Sequence, residues 1–518
     1  MKKVRSHSEY QVVELYPARR ECEGCQSSLK EAYRKVRWVV TLAGLLRVNS
    51  HILECQSEGC RERRARHRPE KEGALALPHY TFGLEVVARI GELRYGEHQT
   101  VEEIARELKH GGVGISTREV QLLSEVFLAL VESSVKGDPQ LVERLRAQGG
   151  IILAIDGVQP EKGNETLWLL RDVRSERVLV ARNLLSSGRV EIEPLIAEVK
   201  ALGVPVLGVI SDKQAAVCLA VEQALPGVPH QLSHFHYLRD VAQPVAEADR
   251  KLKKQLKQQV RGIREVERRV AHQPEAEAAT VRGYCVAVRE VMRDDGKYPL
   301  EPAGITLYER LNKIRQSLGG AIRARSSAQL QRLHTILDAL TTQAKEYARL
   351  VVAWSWIHHL ARLLDQGASR AEAEAQLRRY AGSLPRKADQ SLSEMATHIE
   401  KITTAFAPKL FAFHDQPLLP KTNNELEVFI GQLKKERRRV TGRKDTTAFI
   451  LREGRAVALL HSLPSEPNWL AAFAAVEIEQ FQKSLAELRR ADERSQAWQA
   501  RRDLDVYLSL LEQDWPPD

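Results

Sequence analysis

The chain has 518 residues, with 78 Lys and Arg against 68 Asp and Glu for a net charge of +10, and 43% of it is hydrophobic. That length exceeds what one compact core fills and predicts three or four domains, each burying its own interior. No stretch approaches the roughly 20 apolar residues of a membrane span. The basic start MKKVRSHSEYQVV has no apolar run behind it, so a cytoplasmic protein without signal peptide or lipid anchor is expected.

Four of the six cysteines fall in one region, as Cys22-x2-Cys25 and Cys55-x4-Cys60, with 29 residues between the pairs. The intervening VRWVVTLAGLLRVNSHIL is rich in strand formers. Two knuckles flanking a β-rich stretch predict a zinc ribbon over residues 1–75, its four thiolates holding a structural Zn²⁺. Free buried cysteines are the alternative, and a disulfide fits a reducing compartment less well.

Residues 76–145 read as helical. Thr100 caps a helix whose Val101, Ile104, Ala105 and Leu108 share a face, and Gly111, Gly112 and Gly114 end it. Ser116 and Glu119 form a capping box opening a second helix, which makes the pair a candidate helix-turn-helix and the second helix the candidate reader of a major groove.

Near Gly149 the periodicity switches to strands. GIILAIDG, ETLWLLRDV and RVLVARNLL are three strands, VEIEPLIAEVKALG an amphipathic helix, PVLGVISDKQ a strand, AAVCLAVEQAL a helix and HQLSHFH a fifth strand. The order β-β-β-α-β-α-β permits an antiparallel meander followed by parallel additions, the mixed sheet of the ribonuclease H-like plan. The predicted core is 148–245 completed by 418–462, interrupted by an all-helical insertion at 246–417 and followed by a helical tail at 463–518. The fold class is therefore multidomain α/β plus α.

Asp156 and Asp212 each end an apolar strand, the sheet edge where ligands bind in α/β folds. A turn-forming Asp before Gly157 is the plain alternative. Phosphodiester chemistry needs hard cations held by oxygen ligands, and two aspartates leave such a site one ligand short.

These segments, with Thr422-Asn423-Asn424-Glu425-Leu426-Glu427, resemble the DDE transposases of bacterial insertion sequences that carry an N-terminal zinc ribbon and a late insertion. Asp156 and Asp212 resemble the first two acids of that family. The Thr-Asn-x-x-x-Glu pattern places the third at Glu427, and Lys434 matches a Lys often found seven residues later. Asn423, Glu427 and Lys434 at i, i+4 and i+11 would share one helix face. Glu425 is the competing third acid and Asp445 a more distant one. His236 matches the His of a Cys/Asp-x2-His motif, but Ser233 stands where Cys or Asp is usual. His234-x-His236 on one face of a strand would otherwise suit a zinc hydrolase. In relatives the insertion contacts element ends and can stack an aromatic on a flipped base; Trp354 and Trp356 lie in such a helix, with core packing as the alternative.

The resemblance implies two Mg²⁺ or Mn²⁺ ions on Asp156, Asp212 and Glu427, cleavage at terminal inverted repeats and joining of 3′-OH ends to target DNA. It also implies double-stranded DNA as partner and a homodimer or larger synaptic complex on the nucleoid. The basic run Lys434–Lys444, with Arg437, Arg438 and Arg443, would contact phosphates, as would the run from Arg250 to Arg269 unless it is a solvated face. The rival function is a regulatory or domesticated DNA-binding protein without strand transfer; a metal nuclease without strand transfer is a second.

Overall fold

The computed structural model describes residues 9–136, 139–160, 164–272, 276–325, 327–367, 369–386, 389–442, 446–463 and 467–514. In chain order it begins with strands β1 (Gln11–Leu15), β2 (Lys30–Thr41), β3 (Gly44–Glu54) and β4 (Arg66–His67). Helix α1 (Leu84–Gly91), a π-turn (Glu92–Gly96), α2 (Val101–His110), α3 (Thr117–Lys136) and α4 (Pro139–Ala147) follow. Next come β5 (Ile151–Val158), β6 (Thr166–Asp172), β7 (Val178–Leu184), α5 (Arg189–Lys200), β8 (Val206–Ser211), α6 (Ala215–Ala224) and β9 (His230–Leu232). A long helical stretch includes α7 (His234–Gln259), α8 (Ala303–Ala324), α9 (Ala344–Leu363) and α10 (Gln390–Phe406). The chain closes with α11 (Asn424–Thr441), α12 (Thr447–Arg452), α13 (Gly454–His461) and α14 (Ile478–Arg502), among shorter helices. No described helix is long and apolar enough to cross a membrane. The protein is thus mixed α/β, with a mixed N-terminal sheet and a four-cysteine cluster.

Two compact units are present: Met1–Val206 with Leu219–Ala224 and Glu425–Asp518, and Leu207–Cys218 with Leu225–Asn424. In the first, β1 pairs in parallel and β2 in antiparallel fashion with the central β3. β5, β6 and β7 form the expected antiparallel meander in the order β7-β6-β5, Asp156 opposite Leu169 and Leu169 opposite Ala181. Every residue of β6 is buried, so both faces of the strand are covered and its Leu167–Leu170 run is continuously apolar instead of alternating. At its end the fully buried Asp172 accepts from the N–H groups of Ile152 and Ser175, Gln148 Nε2 and Ser175 Oγ. That carboxylate is consumed by the turn it holds, as a buried charge must be.

The capping box expected at Ser116 is present, and the cap expected at Thr100 proves to be a full box too: Thr100 Oγ1 accepts from the Glu103 N–H and Ser116 Oγ from the Glu119 N–H, each Glu returning to its cap. Beyond its first turns, however, α3 is a core helix, with Val126 to Val131 buried. It packs on α1, α2, α13 and α14, and Glu132 and Ser133 bond to Arg455 and Ser484. Only Thr117, Arg118, Glu119 and Leu122 of its N-terminal end stand exposed.

In the second unit β8 and β9 pair in parallel, Ile210 opposite Gln231. The helices gather around α7, which packs on α8, α9 and α10. The buried Asp249 of α7 accepts from the N–H groups of Gly304 and Ile305, satisfying the open end of α8. Position 304 must be glycine, because a Cβ there would lie 2.3 Å from the Asp249 carbonyl oxygen. Trp354 and Trp356 are buried, and Trp354 Nε1 donates to the Leu300 carbonyl; both are core residues.

The N-terminal sheet carries a pH-dependent clamp. His51 on β3 places Nε2 2.7 Å from Glu14 of β1 and Nδ1 2.7 Å from Glu31 of β2, beneath Tyr16. Burial alone would lower its pKa, but the hydrogen bonds to Glu14 and then Glu31 outweigh it and raise the pKa. A raised folded pKa gives stability that is complete below the unfolded value of about 6.5 and lost as pH climbs through the folded value. In denaturant unfolding of the metal-loaded protein, the midpoint should fall between about pH 6 and about pH 9 more steeply in wild type than in His51→Gln. Equal slopes would remove the clamp.

Candidate functional site

The cysteine cluster is assembled by backbone geometry. Gln26 at φ 54° and Gly59 at φ 81° turn the two knuckles, and the Gln26 N–H donates to the Cys22 carbonyl at 2.8 Å. Gly24 leaves room for the second knuckle, since a Cβ there would sit 3.1 Å from Cys60 Sγ. The ligand atoms of Cys22, Cys25, Cys55 and Cys60 lie within 4.8 Å of one another, and the Cys22–Cys60 and Cys25–Cys55 sulfurs are 3.6 Å apart. A tetrahedral site with metal–sulfur bonds of about 2.3 Å requires a sulfur separation of about 3.8 Å. Burial pushes the Cys22 thiol up to about 12. Hydrogen bonds from the Ser27 side chain and backbone draw Cys25 down to about 6. The set fits a structural zinc.

The acidic residues depend on α11. At about 100° per residue, Leu426, Phe429, Ile430 and Leu433 form one stripe, and all four are buried. Glu427 and Lys434 fall on a strip beside it, about 20° apart and about two turns from each other. Glu425 lies on the opposite side and is exposed, whereas Glu427 is partly buried with Oε1 out of reach of solvent. The guanidinium of Arg171 on β6 sits 5.3 Å from the centre of the Phe429 ring, which lays α11 on one face of the meander. Alternation along β6 puts Arg171 and Leu169 on that face, and Leu169 is the register partner of Asp156.

Asp156 does not form a turn. β5 runs on through Val158, so the residue lies inside the strand, two positions before its end. Gly157 serves packing instead: a Cβ there would be 3.0 Å from Thr166 Cγ2 and 3.2 Å from the Trp168 ring. Asp156 Oδ1 accepts from the Gly157 N–H at 2.8 Å. Lys434 is close enough to feel this carboxylate. Its pKa is lowered, first by burial, with Asp156 opposing the shift and Arg438 adding to it.

The other acid, Asp212, directly follows β8 in the second unit, and its Oδ1 accepts from the Gln214 N–H at 3.0 Å. Ser211 Oγ donates to the Asp212 carbonyl at 2.7 Å and accepts from His230 Nε2 at 2.8 Å. Burial drives the His230 pKa down to about 3, so this histidine is a neutral strut. The Ser233 N–H donates to the Ser211 carbonyl at 3.0 Å.

The expected fifth strand is shorter than the sequence pattern suggested. β9 stops at Leu232, and His234, Phe235 and His236 are the first residues of α7. On a helix the two histidines point about 200° apart, which removes the shared face a two-histidine zinc hydrolase would need. His234 is buried with Nε2 2.7 Å from the Leu410 carbonyl, and burial lowers its pKa to about 4. His236 is also buried. Ser233, in place of the usual Cys or Asp, is fully buried, and its Oγ accepts from the Asn423 N–H at 3.4 Å. Asn423 itself is buried and precedes the first residue of α11, so it docks the start of that helix and lies outside the helical face expected for it.

In the basic run, Arg437 falls within the buried stripe; it pairs with Glu453 at 3.7 Å and lies over Phe449. Arg438 is exposed, on the strip of Glu427 and Lys434. Arg443 and Asp445 lie outside the described residues. His230 is the packed, hydrogen-bonded histidine that the sequence suggests, whereas sequence reasoning missed Glu453. A comparison with protein-family models found no match, and none of the curated proteins matches the sequence.

The cluster geometry predicts that Cys22→Ser loses the metal that the wild-type chain retains through dialysis, measured by elemental analysis. Gly24→Leu, which leaves all four thiols in place but crowds Cys60, should lose it too. Equal metal content in wild type and Cys22→Ser would exclude the site.

Proposed function

We propose that this protein is a DDE transposase of an insertion sequence that cleaves the element's terminal inverted repeats and joins the 3′-OH ends to target DNA. The observation that carries the reading is that Lys434, on the same strip of α11 as Glu427, lies near enough to Asp156 for that carboxylate to oppose the effect of burial on its ammonium. A cation beside two carboxylates is what a site needs when it must hold both metal and phosphate. In this reading β5 to β9 and α11 belong to a ribonuclease H-like core, and the cysteine cluster holds zinc.

Asp156, Asp212 and Glu427 would hold Mg²⁺ or Mn²⁺. Their donor set is purely carboxylate oxygen, the preference of a hard cation, with neither thiolate nor imidazole competing. When bound, the ions would polarise the scissile phosphate and activate the attacking hydroxyl. Lys434 binds and orients the neighbouring phosphate through its ammonium, and Arg438 extends that contact along the backbone. His230 stays neutral and fixes the Ser211–Asp212 peptide. The ribbon, with the exposed start of α3, recognises the end sequences, Arg118 being the charged group available to a groove. Two ends must be held at once, so the working form is a homodimer or larger complex.

Asp156→Ala should bind end DNA as wild type does while cleavage falls on the order of 10³-fold or more, about 4 kcal/mol of barrier. Asp212→Ala should match it, and the double variant should be no worse than either, because residues acting as one unit are not additive. Glu427→Gln should behave likewise and Glu425→Gln should not. Metal-dependent cleavage persisting in Asp156→Ala, measured on labelled duplex ends, would overturn the assignment.

A further inference from the structure

The first unit contains a second charged feature that the acidic residues do not use. β7, α12, α13 and α14 enclose a notch of about 190 Å³ lined by Arg182, Asn183, Arg452, Arg455, Glu487 and Arg490. Four guanidinium groups and one carboxylate line it, with Glu125, Glu132 and Glu198 behind them.

Their partners are unevenly satisfied. Arg455 is held from two sides, by the buried Glu132 at 2.9 Å and by Glu487 at 3.0 Å. Arg182 gives one amino group to Glu198 at 3.0 Å and the other to its own chain at the Ala181 carbonyl. Arg452 lies 3.7 Å from Glu125. Arg490 is exposed and makes no ion pair among the described residues. Each guanidinium carries five donors in a planar fork, so the notch offers more donors than its carboxylates accept. Such forks match the oxygens of a phosphate in pairs. The space suffices for a phosphate group with several waters, each water taking about 30 Å³.

Arg182 and Asn183 leave β7 on opposite faces of the meander, Asn183 donating to the Ile450 carbonyl on the side of the acidic strip. Arg182 is the register partner of Trp168, and Trp168 of Gly157, whereas Asp156 aligns with Leu169 and Ala181. Alternation sends Arg182 to the opposite face of the meander from Asp156.

We propose that this notch is a phosphate-binding site, separate from the acidic residues, that grips a backbone phosphate of double-stranded DNA. The phosphate chemistry stands on the arginines alone; the choice of DNA over free phosphate rests on the proposed function. With the exposed Arg490 at its mouth, the notch can admit a phosphate still joined to its chain.

The full-length protein would be tested with Arg182→Gln and Arg490→Glu, singly and together, after confirming wild-type thermal unfolding. One arm measures binding of a labelled duplex of arbitrary sequence by anisotropy across a salt series. The double variant should bind more weakly, with the slope of log affinity against log salt shallower by about one to two. Lys345→Gln with Lys401→Gln, exposed lysines on α9 and α10 outside both basic runs, should change the affinity less. The second arm follows inorganic phosphate by ³¹P line broadening. If phosphate binding is lost in the double variant while duplex binding is unchanged, the site stands and DNA is overturned as its source. If neither ligand responds, or the lysine variant loses as much as the arginine variant, the site is overturned. Cleavage lost in Asp156→Ala with an unaltered salt slope keeps the two proposals separable. Wild type that binds phosphate at the notch yet never cuts DNA would sink only the proposed function.

Discussion

The seat of α11 is the constraint on which the acidic residues depend. A helix carrying Glu427, Lys434 and four further basic residues between Lys434 and Thr441 has little reason to hold one rotation in water. Its opposite stripe supplies the reason. Burying Leu426, Phe429, Ile430 and Leu433 contributes about 1.5–3 kcal/mol for each side chain, against a few tenths for any surface pair along the helix. Apolar burial thus decides the rotation, and the charged groups follow. Arg437 illustrates the rule: it falls in the buried stripe and is there only because Glu453 and Phe449 receive it.

The two kinds of buried acid in the first unit differ in what surrounds them. Asp172 meets four donors within hydrogen-bonding distance and is spent on structure. Asp156 is only partly buried, takes the N–H of its own neighbour, and has a half-buried ammonium as its charged company. Lowered by burial, that ammonium is poised to exchange solvent for an anion. The contrast separates a carboxylate that stabilises a turn from one that can serve a ligand, a distinction strand position alone could not make.

The sequence made the strands and helices legible where periodicity and capping agree. Both Ser/Thr-x-x-Glu boxes, the β-β-β meander and the two cysteine knuckles follow from local chemistry that no distant contact overrides. It misled where a short apolar run met polar residues of ambiguous preference. HQLSHFH alternates like a strand, yet the peptide after Leu232 is bonded to Ser211 and Lys421, and those long-range bonds start a helix at His234. Asp-Gly at 156–157 has the look of a turn, but the glycine is there because Trp168 covers it. The burial of α3 was equally hidden, since its apolar residues face four helices whose sequence positions are up to several hundred residues away.

That burial bears on how α3 could read DNA. A recognition helix presents its N-terminal residues to base edges and leaves the rest to support it. Here the support is unusually firm. Glu132, fully buried, would be costly if left uncompensated, and Arg455 compensates it from α13, while Ser133 meets Ser484 on α14. Breaking one partner of such a pair strands the other charge, so the far end of α3 is fixed to α14 and to α13, the helix that packs on β7. If α3 reads DNA as proposed, an exposed tip on a clamped shaft would not adjust to it by tilting alone, and its first turn, from Thr117 to Leu122, would provide the adaptation. Sequence selectivity through α3 would therefore rest on very few side chains, and the ribbon would have to supply the remainder.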